Sequence, residues 1–301
     1  MKKLLFALFI IFFIGYSLFF PDITVQATKN GLELWFHQIL PALLPFTILS
    51  SVIIKSDYLR SIKGNANFIA ILFVLACGFV FGFPIGAKLS SDFCKQNLIS
   101  EKQATILSVF TNNFSPMYVC GFVLPHLFPS NDYSTITYIL LYLTPLILAT
   151  IRILLTLDYS INNKKTTSKF HLNMKLVDVG IISGFESLIK ICGYIILFTM
   201  FSENIINMLS HYSIDQQNLV LVALGNLEIT NGITLLSKYK LSNDIKYILA
   251  IQFLSFGGLS GIAQTTSILE GSGISPVKYI IGKALLSLLL TLFSVIYVFI
   301  R

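Results

Sequence analysis

The stretch Phe68-Ile69-Ala70-Ile71-Leu72-Phe73-Val74-Leu75-Ala76-Cys77-Gly78-Phe79-Val80-Phe81-Gly82-Phe83-Pro84-Ile85-Gly86-Ala87-Lys88 decides how this chain folds. Its apolar part, Phe68 to Phe81, is too short to cross a hydrocarbon core, which takes roughly 17–25 residues. It runs straight into a Gly/Pro break, and an amphipathic stretch follows to Asn97. Basic residues flank both ends: Lys55, Arg60 and Lys63 before it, Lys95 and Lys102 after it. Positive charge gathers on the cytoplasmic side of membrane proteins. A chain that goes in, turns at glycine and proline, and comes back to the same side fits this pattern. The expectation is a re-entrant helical hairpin with both ends cytoplasmic.

The rest of the chain agrees with a bilayer environment. Of 301 residues, 55% are hydrophobic and only 12% charged, and the mean hydropathy is +0.79. Soluble domains carry about 25% charged residues, so this chain cannot clothe a water-facing surface. The fold class is therefore an all-α polytopic membrane protein. The net charge of +7 follows from lysines and arginines in gaps between apolar runs, with no basic stripe for nucleic acid. Cys77, Cys94, Cys120 and Cys192 show no metal-type spacing and sit in or beside apolar segments. They read as small hydrophobes, with neither a disulfide nor a metal site.

Residues 1–30 read as an N-terminal span, Leu4 to Phe20, with an outer loop. Met1-Lys2-Lys3 before that run and Val25-Gln26-Ala27 after it also have the shape of a signal peptide. The run is long for one, and many spans follow, so a retained span is preferred. A first half covers 31–157, a basic cytoplasmic linker 158–176, and a second half 177–301. Loops 125–133 and 209–218 should lie on the far side. The orientation of 219–301 is ambiguous.

Four apolar segments are interrupted: at Gly82–Lys88, at Thr111-Asn112-Asn113-Phe114-Ser115-Pro116, at Gly225 to Gly232, and at Phe256-Gly257-Gly258-Leu259-Ser260-Gly261. Unpaired peptide groups in hydrocarbon cost several kcal/mol. Such breaks persist only where protein or a watery cavity surrounds them. Phe81-Gly82…Gly86 matches Phe256-Gly257…Gly261, and the same spacing carries Ile99-Ser100 onto Ile274-Ser275. Phe46 to Ser50 matches Phe198 to Ser202 at a different spacing. Two diverged, inverted repeats are expected, and paired interruptions in two halves point to a transporter's binding site. The bland alternative for Gly82/Gly86 and Gly257/Gly261 is close helix packing.

The candidate solute-binding residues are Gly82, Pro84, Gly86, Lys88, Asn112, Asn113, Ser115, Glu228, Thr230, Asn231, Gly257, Gly258, Ser260 and Gln264. Glu228 stands in mid-span, and intramembrane carboxylates are costly and mark function. It suits a coupling proton or sodium ion, and no other cofactor is expected. Lys88 and Asp92, four apart, either pair with each other near the interface or present Lys88 to an anionic solute. Lys88 reads as the only cation close to a break. The histidines, His37, His126, His171 and His211, form no metal pair, and no nucleophile elbow or phosphate loop occurs. An enzyme is not expected. The partners are the lipid bilayer and a small solute, with the oligomeric state open.

Leu40-Pro41-Ala42-Leu43-Leu44-Pro45-Phe46, Gly82 to Lys88, Asn112 to Pro116, Leu227-Glu228-Ile229-Thr230, and Ser255 to Ser260 with Gln264 resemble the sporulation integral membrane proteins of the YlbJ type. These belong to the nucleoside-recognition Gate-domain group, related to concentrative nucleoside transporters. The resemblance spans about Gly31 to the C-terminus. It implies an inverted-repeat transporter fold in a bacterial cell membrane, the outer forespore membrane being the specific candidate. It also implies passage of dipicolinic acid from mother cell toward forespore. Lys88 would then meet a dicarboxylate. A nucleoside solute, or a scaffold or sensor that transports nothing, are the alternatives.

Overall fold

The computed structural model of this chain describes residues 2–56, 66–130, 133–156, 173–211 and 217–301. Most of loop 55–66 and of linker 158–176, and half of loop 209–218, lie outside the described residues. The described residues are helical, with no strand among them. Four helical stretches among them are long and apolar enough to cross a membrane: Ser134–Leu154, Met174–Leu209, Asn243–Leu269 and Pro276–Ile300. A bent pair, Ala7–Phe19 with Pro21–His37, adds a fifth if it counts as one span. Large apolar side chains such as Leu146, Ile182, Leu285 and Leu288 stay exposed on the outside, as a lipid-facing surface requires.

The chain opens with α1 (Lys2–Phe19), which bends by 103° into the next helix. Helix α2 (Pro21–Leu34) passes through a wide turn at Trp35–Ile39 into α3 (Leu40–Lys55). The outer loop expected before residue 31 is thus helical: Pro21 fits the first turn, where its missing N–H costs nothing. The wide turn has a cause in the sequence. Pro41 cannot donate to the carbonyl four residues back and clashes with it, and a local i to i+5 turn relieves both. The same wide turn precedes Pro125, at Val119–Val123, and Pro145, at Ile139–Leu143.

Next come α4 (Ala66–Phe81) and α5 (Ile85–Lys95), antiparallel neighbours joined by a turn at 82–84. Asn67 Nδ2 donates to the Leu98 carbonyl at 2.8 Å and to Gln103 Oε1 at 3.0 Å. Both ends of the pair therefore lie at one end of the molecule, and the expected hairpin is present. Helix α6 (Glu101–Thr111) starts with a Ser100/Gln103 capping box. It breaks at 112–115 and resumes as α7, which runs from Pro116–Tyr118 through the wide turn to Leu124–Leu127. Helix α8 (Ser134–Leu154) completes the first half.

Helix α9 (Met174–His211) packs along α2 and α3. A hairpin follows, α10 (Gln217–Leu227) and α11 (Ile229–Lys238). A broken span, α12 (Asn243–Phe256) and α13 (Gly258–Leu269), leads to the final α14 (Pro276–Ile300). The matching of Gly82 onto Gly257 does not survive as structure. Gly82 turns a hairpin, whereas Gly257 interrupts a through-going span.

Contacts at the two ends resolve the orientation left ambiguous for 219–301. Gln96 Nε2 donates to the Ile54 carbonyl (3.2 Å) and Lys55 Nζ to the Val179 carbonyl (3.5 Å). A Cβ on Gly271 would lie 3.9 Å from Lys95 Cε. Loops 96–100 and 270–275 thus share the end that carries Lys55 and Lys95. At the opposite end, Ser237 Oγ meets His126 Nε2 at 3.1 Å and Tyr133 donates to Asp244 at 2.6 Å. The Arg301 guanidinium lies 4.9 Å over the Tyr133 ring. In a background without the four cysteines, Lys102→Cys and Glu270→Cys should react with an impermeant thiol reagent from the cytoplasmic side. Pro129→Cys and Lys240→Cys should react only from the other. Labelling of Glu270→Cys and Lys240→Cys from the same side would contradict this arrangement.

Candidate functional site

All four breaks form, and they meet in the middle of the bundle. The first hairpin tip packs on the first broken span. Gly82 has φ +69°, left-handed backbone in which a side chain is strained. A Cβ there would also overlap the backbone of Ser115 and Asn113. The Phe83 amide donates to the Asn113 carbonyl at 2.6 Å. The second tip packs on the second broken span in the same way: Gly257 has φ +90°, and a Cβ on Gly258 would lie 3.2 Å from Ile229. Contacts at the breaks also join the two halves. Tyr118 and Thr230 share a hydroxyl–hydroxyl bond of 3.1 Å, and Gly261 lies against the Phe83 ring.

Between them lies a cavity of about 700 Å³, well inside the range of small-ligand sites. Phe46, Phe83, Phe114 and Tyr118 give it aromatic walls, and Pro41 and Pro45 of α3 close one side. Its polar side chains are His37, Ser115, Tyr118, Glu228, Thr230, Ser260 and Gln264. Glu228, 6% exposed, is the N-cap of α11 and accepts from the Asn231 amide at 2.8 Å. The helix N-terminus supplies partial positive charge to its carboxylate, so the carboxylate is held as well as presented to the cavity. Ser115 caps α7 likewise, accepting from the Tyr118 amide at 3.2 Å. Gln264 donates to Ser260 at 2.9 Å. Its Oε1 is buried with no hydrogen-bond partner among the described residues, an acceptor left over for something else.

A second cavity, about 520 Å³, opens toward the end that carries Lys55 and Lys95. Lys88 and Asp92 line it, together with Glu186, Lys190 and Glu270. Lys88 is buried, and its Nζ donates to Ser51 at 3.1 Å and Ser187 at 3.2 Å rather than to the carboxylate of Asp92. Lys88 therefore belongs to this polar vestibule and not to the central cavity. Gln264 lines both cavities and stands where they adjoin.

The sequence-predicted residues thus separate into three groups. Ser115, Glu228, Thr230, Gly257, Ser260 and Gln264 line the central cavity. Lys88 faces the vestibule. Gly82, Pro84, Gly86, Asn112, Asn113, Asn231 and Gly258 hold the breaks in shape without lining the central cavity. Asn112 donates to Thr265 and Tyr279, both at 3.0 Å, and Asn113 to the Phe110 carbonyl at 2.8 Å. A Cβ on Gly86 would overlap Thr111, so the close-packing reading of Gly82/Gly86 has a real counterpart.

One functional group escapes the sequence reading. Lys283 of α14, 1% exposed, donates to the Asn112 carbonyl at 3.1 Å and to Asn113 Oδ1 at 3.0 Å. A Cβ on Gly257 would lie 3.9 Å from its Cε. Lys88 is therefore not the only cation close to a break, since Lys283 stands between both broken spans. The signal was legible: a lysine two turns inside the final apolar run is an intramembrane charge by the same rule that marks Glu228.

The chain is similar to the sporulation integral membrane protein YlbJ of Bacillus subtilis (strain 168), with 26% identity over 333 residues, covering 94% of this chain and 80% of the relative. The YlbJ-type resemblance carried by the five motifs is borne out along nearly the whole chain. No family model and no solved structure matches it. Gly86→Val is expected to cost about 1–3 kcal/mol of stability, the usual cost of overpacking, and to lower Tm in detergent. Gly193→Ala, in open space on α9, should leave Tm unchanged or raise it slightly. Equal Tm for Gly86→Val and the parent would contradict the close approach of α5 to α6.

Proposed function

We propose that this protein is a membrane transporter for a small, flat, polar organic solute, bound in the central cavity, and that it acts in a membrane of the sporulating cell. The observation that carries this reading is the convergence of four helix breaks on one cavity with Glu228 in its wall. Helix packing alone needs no such cavity. The order of elements supports the wider architecture. Each half holds a long helix, a hairpin, a broken span and a closing helix, and the hairpins enter from opposite ends. That is the order of inverted repeats, in which one half rocks against the other around a fixed site. The sporulation context comes from the relative, whose name carries it.

Dipicolinate, the solute that the resemblance implies, suits the site in shape. A flat ring fits between Phe83, Phe114 and Tyr118, where aromatic pairs add about 0.5–1.5 kcal/mol beyond burial. Its charge needs the rest of the path. The vestibule offers Lys88 to a carboxylate at the basic end. Gln264 and Ser260 offer hydrogen bonds at the junction. Glu228 opposes an anion in the central cavity unless a proton or a sodium ion cancels its charge, which makes Glu228 the coupling group. A nucleoside is favoured over an anion by one observation: no described residue lining the central cavity is a lysine or arginine.

Purified protein in liposomes separates these readings. Labelled dipicolinate should accumulate under an imposed proton or sodium gradient, and Glu228→Gln should remove the dependence on that gradient. Gln264→Leu should reduce uptake roughly 10-fold or more with little change in Tm, because a hydrogen bond to a charged group contributes about 1.5–3 kcal/mol. Accumulation of a nucleoside instead would transfer the site to a neutral solute. No accumulation of either, and no shift of Tm by either, would contradict transport and leave a scaffold.

A further inference from the structure

Lys283 poses a problem that transport does not solve. An ammonium ion taken out of water costs several kcal/mol unless it is paired and hydrogen-bonded. Among the described residues, no carboxylate is its partner. Its two acceptors, the Asn112 carbonyl and Asn113 Oδ1, lie at the carbonyl end of α6. The last carbonyls of a helix lack intrahelical partners, and partial negative charge gathers there. A further oxygen of Asn112, its Oδ1, is buried with no hydrogen-bond partner among the described residues. The surroundings are thus neutral oxygens at a broken helix end. Such oxygens, without acids, coordinate monovalent cations in membrane proteins.

We propose that the Lys283 ammonium is a tethered monovalent cation, filling an oxygen-lined cation site at the broken end of α6 so that this end needs no ion from solution. The lysine stem comes from α14 and passes beside Gly257, so the tether also couples the first broken span to the second. The assignment leaves Glu228 as the ion-responsive group of the described central cavity. It stands whether or not the protein transports, because its test reads stability.

The test removes the charge and offers a free ion. Lys283→Met keeps most of the side-chain volume, and Lys283→Gln is a second, more polar version. Tm is measured in detergent at constant ionic strength in choline chloride, sodium chloride, potassium chloride and ammonium chloride. In choline, the variants should melt below the parent. One of the small cations should raise the Tm of a variant saturably, by about 3 °C or more, as binding to the folded state alone requires. The parent should show no such preference. If both variants melt alike in all four salts, the proposal is overturned. If neither folds in any salt, it is overturned too, since a free cation must be able to replace the lysine's charge.

Discussion

The structure depends on how peptide groups at four helix breaks are satisfied away from water. A break frees N–H groups at one helix end and carbonyls at the next, and hydrocarbon offers neither a partner. Here one break supplies the partner for another. The Phe83 amide of the first tip finds the Asn113 carbonyl of the first broken span. Side chains take what remains: Ser115 and Glu228 cap the helices that restart, and Lys283 covers the carbonyl end of α6. The breaks must then sit side by side, and a bundle with four adjoining breaks has its irregular backbone at one depth. The cavity follows from that placement.

Glycine and proline make the placement geometrically attainable. Gly82 and Gly257 adopt left-handed backbone, so a helix ends at each of them. Pro41, Pro125 and Pro145 work differently. Each sits just after a wide turn, so the helix continues while its register shifts. The first kind of residue ends helices at the site, and the second adjusts the helices that enclose it. Proline-lined α3 packs on the long α9, and its Phe46 stacks on Phe81 at the first hairpin tip.

Much of this was legible in the sequence, and the reasons differ by residue. The hairpin at 82–84 was legible because its apolar arm is too short to span and its flanks carry like charge. The breaks were legible because polar residues inside apolar runs are costly. Glu228 was legible on the same ground. Side-chain direction was not. Lys88 lies one turn from the first tip in sequence, yet its ammonium leaves the central cavity and reaches Ser51 and Ser187 on other helices. Nothing local encodes that. That Gly82 and Gly257 are not equivalent was not legible for a related reason. The Phe-Gly…Gly pattern marks a tightly packed hairpin tip at 81–86, whereas at 256–261 it marks a break in a span where a Cβ on Gly257 or Gly261 would meet only ordinary contacts. Lys283 needed only the rule already applied to Glu228, but a single charge in a run of leucines is easily passed over.

The central claim is that solute occupies the cavity where the breaks meet. Site-directed alkylation tests it most directly. Ser115→Cys and Ser260→Cys place thiols in the central cavity, and Ser187→Cys places one in the vestibule, each in a background without the native cysteines. Alkylation by a small neutral reagent is timed with and without dipicolinate or a nucleoside. The account predicts that one of these solutes slows reaction at Ser115→Cys and Ser260→Cys together. Protection at Ser187→Cys alone, or at none of the three with either solute, would contradict it.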